Sequence, residues 1–457
     1  MKDRLSLRVR VVIVSMLFGM FFGAGNLIFP AKLGVDAGSN MLLAYIGMFI
    51  TAVGLPLLAV AALGISRSDG VFGLSSKVSK GYGFFFSTLL YLTIGPLFAI
   101  PRCASTSFSV GAVNIIKGNE TLALAIFSFV FFVAVLIFSL RPSKIMVWIG
   151  KILNPVFLIF LAALIVVALI NPVGSIASSV PAENYLSAKD AFFNGFLEGY
   201  NTLDALAGLA FGIVVVDTIK LYGVKNPNSI AKQTGVSGIF SCLFMGLIYF
   251  FITFVSTNSS AICAGCEDGG SVLGTIANHY FGTAGAWIMT AIVTFACLKT
   301  AIGLVTSCAS AFTQMFKKGP SYKVWTIIFC IVSFAIANVG LSSIVAFCVP
   351  VLMFLYPLAI TLILLALFGK FFNHDKIIYA WTSAFALIAA IFDFINALSS
   401  TLKGAGVPNT AFLDSITNVV TKVLPLFSIG LGWICPAALG CIIGIIIYLA
   451  KKKKQTT

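Results

Sequence analysis

The chain is divided into twelve predominantly apolar runs, near residues 9–30, 40–65, 83–111, 121–140, 145–170, 190–217, 231–257, 283–316, 323–338, 343–368, 376–398 and 424–450, each bounded by Gly, Pro or charged residues. A bilayer core takes roughly 20 apolar residues per helix, and backbone in lipid must satisfy its own hydrogen bonds. The pattern therefore predicts an all-α integral membrane protein of twelve transmembrane helices. With 60% hydrophobic and 9% charged residues, no length remains for a soluble domain, so residues 1–457 are expected to form a single polytopic unit.

The basic residues test this topology independently, because cytoplasmic loops are enriched in Lys and Arg. Of the 29 Lys and Arg residues, 22 fall on the side of both termini; the opposite side has Lys32, Lys117, Lys189, Lys403 and Lys422, and Arg102 and Lys299 lie inside helices. Both termini are thus expected in the cytoplasm. The net charge of +15 reflects this distribution and not a nucleic-acid surface. The first apolar run follows Lys2, Arg4, Arg8 and Arg10 as a signal peptide's would, but it has no clear A-x-A-like cleavage site and is followed by GAGN and a second long span, so an uncleaved first helix is expected. The tail AKKKKQTT reads as a stop-transfer anchor, with lipid binding as the alternative. Residues 400–422 predict an outer loop with a short amphipathic helix.

Helix 1 is interrupted by Gly23-Ala24-Gly25-Asn26, where each glycine costs about 1 kcal/mol relative to alanine. One reading is an unwound segment whose free amides and carbonyls bind a ligand; the other is close helix packing through small residues. Helix 6, FLEGYNTLDALAGLAFG, carries Glu198, Asn201, Thr202 and Asp204 between Gly199 and Gly208. Paired interruptions, each opening a five-helix half, point to a transporter site at mid-membrane, with inverted repeats over about 9–170 and 190–368 and extra helices at about 376–398 and 424–450.

Charges at depth cost about 2.5–3.5 kcal/mol each, so neither Arg102 in helix 3 nor Lys299 in helix 8 is expected to face lipid. Their depths suggest two pairs, Arg102 with Glu198 and Lys299 with Asp204. Asp217 and Asp393 are expected near helix ends. Most of the ten cysteines sit singly within helices, as small hydrophobes do. Cys263-Ala-Gly-Cys266, in a polar loop, leaves open half a zinc site, a disulfide or two idle thiols.

The segments MFFGAGNLIFP, YLTIGPLFAIPRCASTSF, GYNTLDALAGLAFGIVVVD and ACLKTAIGL, in that order, resemble the bacterial branched-chain amino acid carrier family (BrnQ type). This family belongs to the amino acid, polyamine and organocation superfamily. The resemblance covers essentially the whole chain and implies a LeuT-like fold of two inverted five-helix repeats plus two helices, in a carrier importing leucine, isoleucine and valine with sodium. It implies that Gly23, Ala24, Gly25 and Asn26 form the helix-1 half of a substrate clamp, and that Thr202 to Gly208, with Asp204 and Ala205, form the helix-6 half. Ile94, Gly95 and Phe98 would line the side-chain wall, and Thr300, with carbonyls near Phe295 or Ala296 and near Met20, would surround a sodium site. Two positions depart from the family pattern. Lys299 stands where threonine or a small apolar residue is usual, and Ser109 where glutamate is usual. The ammonium of Lys299 offers the charge a sodium ion would bring, so a carrier driven by protons or by exchange stands beside the sodium-coupled one, as does a lysine that pairs beside an intact sodium site.

The expected function is secondary active transport of branched-chain amino acids across the bacterial cytoplasmic membrane, with sodium or a proton as coupling ion and no cofactor or resident metal. A carrier of another small neutral amino acid is the alternative in the same class. An integral-membrane metalloenzyme would need clustered ligands, and His279 and His374 lie beside loops on opposite sides. A nutrient sensor would bind leucine without accumulating it, and no signalling domain is evident.

Overall fold

The structure is a computed structural model and describes residues 6–456 apart from 67, 69, 116–118, 141–144, 225 and 408. Among the described residues there is no β-strand, and helix occupies every one of the twelve apolar ranges. The first range holds two helices, α1 (Leu7–Phe21) and α2 (Gly25–Ala37). In the second, α3 (Met41–Phe49) and α4 (Leu55–Ser66) are joined by a wider π-helical turn over Ile50–Gly54. A short α5 (Gly70–Ser75) follows. The third range comprises α6 (Lys80–Leu92) and α7 (Ala99–Ile115), joined by a second π turn over Thr93–Leu97. Next come α8 (Glu120–Leu140) and α9 (Ile145–Ile170). The sixth range again holds two helices, α10 (Ala188–Asn201) and α11 (Asp204–Leu221). The remainder is α12 (Pro227–Asn258), α13 (Gly269–Met315), α14 (Tyr322–Ala337), α15 (Leu341–Phe368), α16 (Lys376–Gly404), α17 (Ala411–Val423) and α18 (Ile434–Thr456).

Among the described residues, eight helical stretches are long and apolar enough, by length and composition, to cross a bilayer, with two shorter apolar helices, Pro155–Ile170 and Tyr322–Ala337, beside them. Large apolar side chains on α8, α9 and α18, among them Ile126, Phe129, Ile159 and Ile446, point outward and are exposed. That surface suits lipid rather than water, and the chain is a multi-pass membrane protein.

Two boundaries differ from the sequence expectation by about ten residues or more. The last helix starts at Ile434 rather than near 424, because Leu426 and Gly430 adopt left-handed backbone around a short 3-10 turn, Phe427–Ile429. The eighth begins earlier, at Gly269, and bends at Gly282, whose φ of 62° lies outside the helical range. The amphipathic segment expected within 400–422 is α17.

Helix 6 is seated on helix 2 by small residues. A Cβ on Gly195 would overlap the Ala44 carbonyl, and one on Gly199 the Thr51 hydroxyl. Past the interruption, Gly208 and Gly212 bring α11 against Ala59 and Leu63 of α4. Four-residue spacing of small residues permits such close approach. Both halves of helix 6 are therefore fixed on one neighbour, and the gap between them is held at a defined depth.

Candidate functional site

The two interruptions face each other across the middle of the bundle. α1 stops at Phe21 because Phe22 turns to an extended conformation (φ −72°, ψ 102°). α2 then opens at Gly25, with Ala24 as an N-cap that has no side-chain acceptor. A helix start leaves several N–H groups without partners. Here Asn26 Oδ1 accepts the Gly23 N–H at 2.6 Å, while the N–H groups of Ala24, Gly25 and Asn26 find no acceptor among the described residues. In the second interruption, Leu203 adopts left-handed backbone (φ 65°, ψ 7°), at a cost of about 1–2 kcal/mol for a residue with a Cβ. Thr202 braces it by donating to the Gly199 carbonyl at 2.9 Å and accepting the Asp204 N–H at 3.4 Å.

One carboxylate oxygen joins the interruptions. Asn26 Nδ2 donates to Asp204 Oδ2 at 2.7 Å, and the Tyr249 hydroxyl of α12 donates to the same oxygen at 2.9 Å. Asn26 Nδ2 also touches the Tyr249 hydroxyl. All three residues are buried. An unpaired carboxylate at this depth is expensive, and two donors on Oδ2 compensate part of that cost. Oδ1 takes no hydrogen bond among the described residues.

Neither expected charge pair forms, because depth along a helix does not fix the direction in which a side chain points. Arg102, buried on α7, donates from Nη1 to the Asn201 carbonyl at 2.7 Å, a carbonyl freed where α10 ends. Its guanidinium lies over the Phe29 ring at 4.8 Å. Glu198 instead accepts from Asn201 Nδ2 at 3.0 Å. Lys299 makes no ion pair with Asp204, and its ammonium donates to the Gly19 carbonyl in the last turn of α1 at 3.4 Å. Beside it, Thr300 donates to the Ala296 carbonyl at 3.1 Å and packs against Gly23, where a Cβ would come within 3.0 Å of the threonine methyl. Met20 lies in α1, with its side chain outside the described residues, as is that of Asp217. Asp393 is buried within α16, 11 residues before its end at Gly404, because the helix runs on past the end expected near 398.

A cavity of about 40 Å³ lies between the interruptions, lined by Gly23 to Asn26, Thr202, Asp204, Arg102, Ile94 and Thr300. A few waters fit such a volume, at roughly 10–15 Å³ each; an amino acid needs the walls to part. Gly95 and Phe98 do not line it. Gly95 leaves helical geometry in the π turn and packs on Cys308, and Ala99 and Cys103 stand on the wall instead. Ala205 is buried away from the cavity, and Gly208 faces α4. Larger recesses, about 980 Å³ beside Phe84 and Lys317, about 760 Å³ beside Asn194 and Ser343, and about 310 Å³ beside Ser109 and Asp268, contain none of these residues. Tyr249 escaped sequence reasoning, since a tyrosine in an apolar helix carries no positional signal. Phe211, which also lines the cavity, escaped for the same reason, whereas Leu203 falls within the Thr202 to Gly208 range that the resemblance implied.

No group of three or more His, Cys, Asp or Glu side chains suited to a metal occurs among the described residues. Cys263 and Cys266 are both free thiols.

Residues 7–451 match the family described as branched-chain amino acid transport protein. The chain is 46% identical over 438 residues to the branched-chain amino acid permease BrnQ of Lactobacillus delbrueckii subsp. lactis, covering 95% of this chain and 96% of that protein. It is 37% identical over 454 residues to BrnQ of Bacillus subtilis (strain 168), covering 99% and 100%. Among solved structures it resembles Mhp1, a nucleobase-cation-symport-1 family transporter in a closed conformation with bromovinylhydantoin bound. That likeness has a TM-score of 0.56 at 14% identity, over 97% of this chain and 93% of the other, and is one of fold.

Proposed function

The chain belongs to the branched-chain amino acid transport protein family, whose relatives are permeases and not enzymes, and from that premise we propose that it is a secondary active carrier of leucine, isoleucine and valine. It works by alternating access in the bacterial cytoplasmic membrane, through twelve spans with both termini inside. Helices 1–5 and 6–10 form inverted repeats, and substrate binds where their first helices are interrupted. The observation that carries this reading is the junction of the two interruptions through Asn26, Asp204 and Tyr249. A hydrogen-bonded bridge between two broken helices at mid-bundle is the arrangement from which rocking of one repeat against the other would expose the site to alternate sides.

In this reading the free amides of α2 and the positive end of its dipole meet the substrate carboxylate, and Asp204 Oδ1 meets its ammonium. An aliphatic pocket distinguishes one methylene by only about 1–3 kcal/mol, so the three branched-chain substrates share the site.

Sodium is the coupling ion by family resemblance. A second reading is favoured by Lys299, whose ammonium bonds the Gly19 carbonyl one residue from Thr300. There the lysine supplies the positive charge in place of the ion, and transport is coupled to protons or runs without sodium. Labelled leucine uptake into proteoliposomes, with an inward sodium gradient, a proton gradient or neither, tests both. Uptake dependent on sodium supports an intact ion site; uptake indifferent to sodium and responsive to pH supports the lysine in its place. Absence of leucine uptake under every gradient refutes the carrier reading.

A further inference from the structure

We propose that Arg102 is the specificity-determining anchor for the substrate's carboxylate, acting together with the free amides at the start of α2. The proposal rests on the substrate reading above and adds a residue from helix 3 to a clamp otherwise made by helices 1 and 6.

Four observations carry it. Arg102 is 3% exposed, yet no carboxylate of the described residues lies within ion-pairing distance of it. Of its five N–H donors, one Nη1 hydrogen is used on the Asn201 carbonyl, and Nε has no partner. The guanidinium is turned towards the opening of α2: a Cβ on Gly25 would come within 2.8 Å of Nη2. Finally, Arg102 lines the cavity together with Gly23 to Asn26 and Asp204.

Capping the end of α10 accounts for one hydrogen bond but leaves a buried guanidinium without a direct ion-pair partner among the described residues, which proteins rarely tolerate. Stacking on Phe29 offsets part of this deficit. Nη2 sits beside Gly25 on the cavity that Asn26 also lines, so an anion in that cavity can meet both the guanidinium and the free amides. A guanidinium matches a carboxylate in a planar, forked geometry that an ammonium does not reproduce. Gly25 is required at this point, because any side chain would occupy the space between guanidinium and amides. The zwitterion is thereby oriented, with its carboxylate on Arg102 and its ammonium towards Asp204 Oδ1.

The test is ligand-induced thermal stabilisation of the purified protein, titrated with leucine, leucinamide, which lacks the carboxylate, and 2-hydroxy-4-methylpentanoate, which keeps it and lacks the ammonium. Wild type is expected to bind leucine about 100-fold more tightly than leucinamide, the size of a lost charge-assisted hydrogen-bond pair. Arg102→Gln is expected to weaken leucine and the hydroxy acid by a similar factor while leaving leucinamide within about threefold. Retained leucinamide binding also reports an intact fold. Equal weakening of all three ligands assigns Arg102 to holding Asn201 alone and overturns the proposal. So does a wild type that binds leucine and leucinamide equally, which leaves the substrate reading standing; a wild type that binds none of the three overturns both. If Arg102→Gln is not recovered folded, Arg102→Lys decides: a reduced leucine-over-leucinamide ratio supports the anchor, and an unchanged ratio overturns it.

Discussion

Tyr249→Phe removes a single hydroxyl from the junction of the two interruptions and leaves the ring in place. The hydroxyl donates to Asp204 Oδ2 at 2.9 Å, and Asn26 donates to the same oxygen at 2.7 Å, so the variant halves the donors on a buried carboxylate. A hydrogen bond to a charged group contributes about 1.5–3 kcal/mol, and at 1.4 kcal/mol per decade this is about a 10- to 150-fold effect on whichever equilibrium depends on the junction. The expected result is a loss of that order in leucine uptake efficiency in proteoliposomes, with protein that remains monodisperse. Tyr356→Phe is the matched control. Tyr356 is equally buried and stacks on Tyr200 with ring centroids 4.0 Å apart, but its hydroxyl has no partner. Removing an unpartnered buried hydroxyl is neutral or stabilising, so uptake is expected within about twofold of wild type. Wild-type uptake by Tyr249→Phe, or equal losses in the two variants, would refute the claim that the junction is a working part of the site.

Gly195→Ala is expected to lower the thermal unfolding temperature in detergent, because its Cβ meets the Ala44 carbonyl, a backbone atom that cannot rotate away; overpacking of this kind costs about 1–3 kcal/mol or more. Gly235→Ala, with nothing within 4 Å of the new methyl, is expected to hold or raise it by the gain in helix propensity, up to about 1 kcal/mol. Cys266, in the loop before α13, is held down to about 6 by its hydrogen bond with Cys263, helped by Thr275 and Ser271 against the opposing effect of partial burial. A depressed thiol pKa means more thiolate at neutral pH, so alkylation at Cys266 is expected to rise through pH 6 and plateau above 7. Cys266→Ser should abolish the low-pH component, and a labelling midpoint near 9 would contradict the assignment.

Both interruptions were legible in the sequence, because glycines and an asparagine in Gly23 to Asn26, and polar residues from Glu198 to Asp204, are expensive in an apolar helix unless they have a local role. Helix existence was legible from hydropathy for the same energetic reason. Partner choice was not. Arg102 and Lys299 sit at the depths that suggested Glu198 and Asp204, but each finds a main-chain carbonyl freed near an interruption instead. Carbonyls carry no sequence signature, and a helix's rotation about its axis is set by packing that arises far along the chain. Gly208 illustrates the same limit. It lies within the motif shared with the family, yet it faces α4 and serves packing.

The most direct test of the site is leucine uptake by Asn26→Ala and Asp204→Ala in proteoliposomes, at matched protein content and under the gradient that drives the wild type. Each substitution removes one side of the bond that joins the two interruptions. Uptake is expected to vanish in both while the protein still reconstitutes as monodisperse material; wild-type uptake in either variant would contradict a substrate site formed between the broken helices.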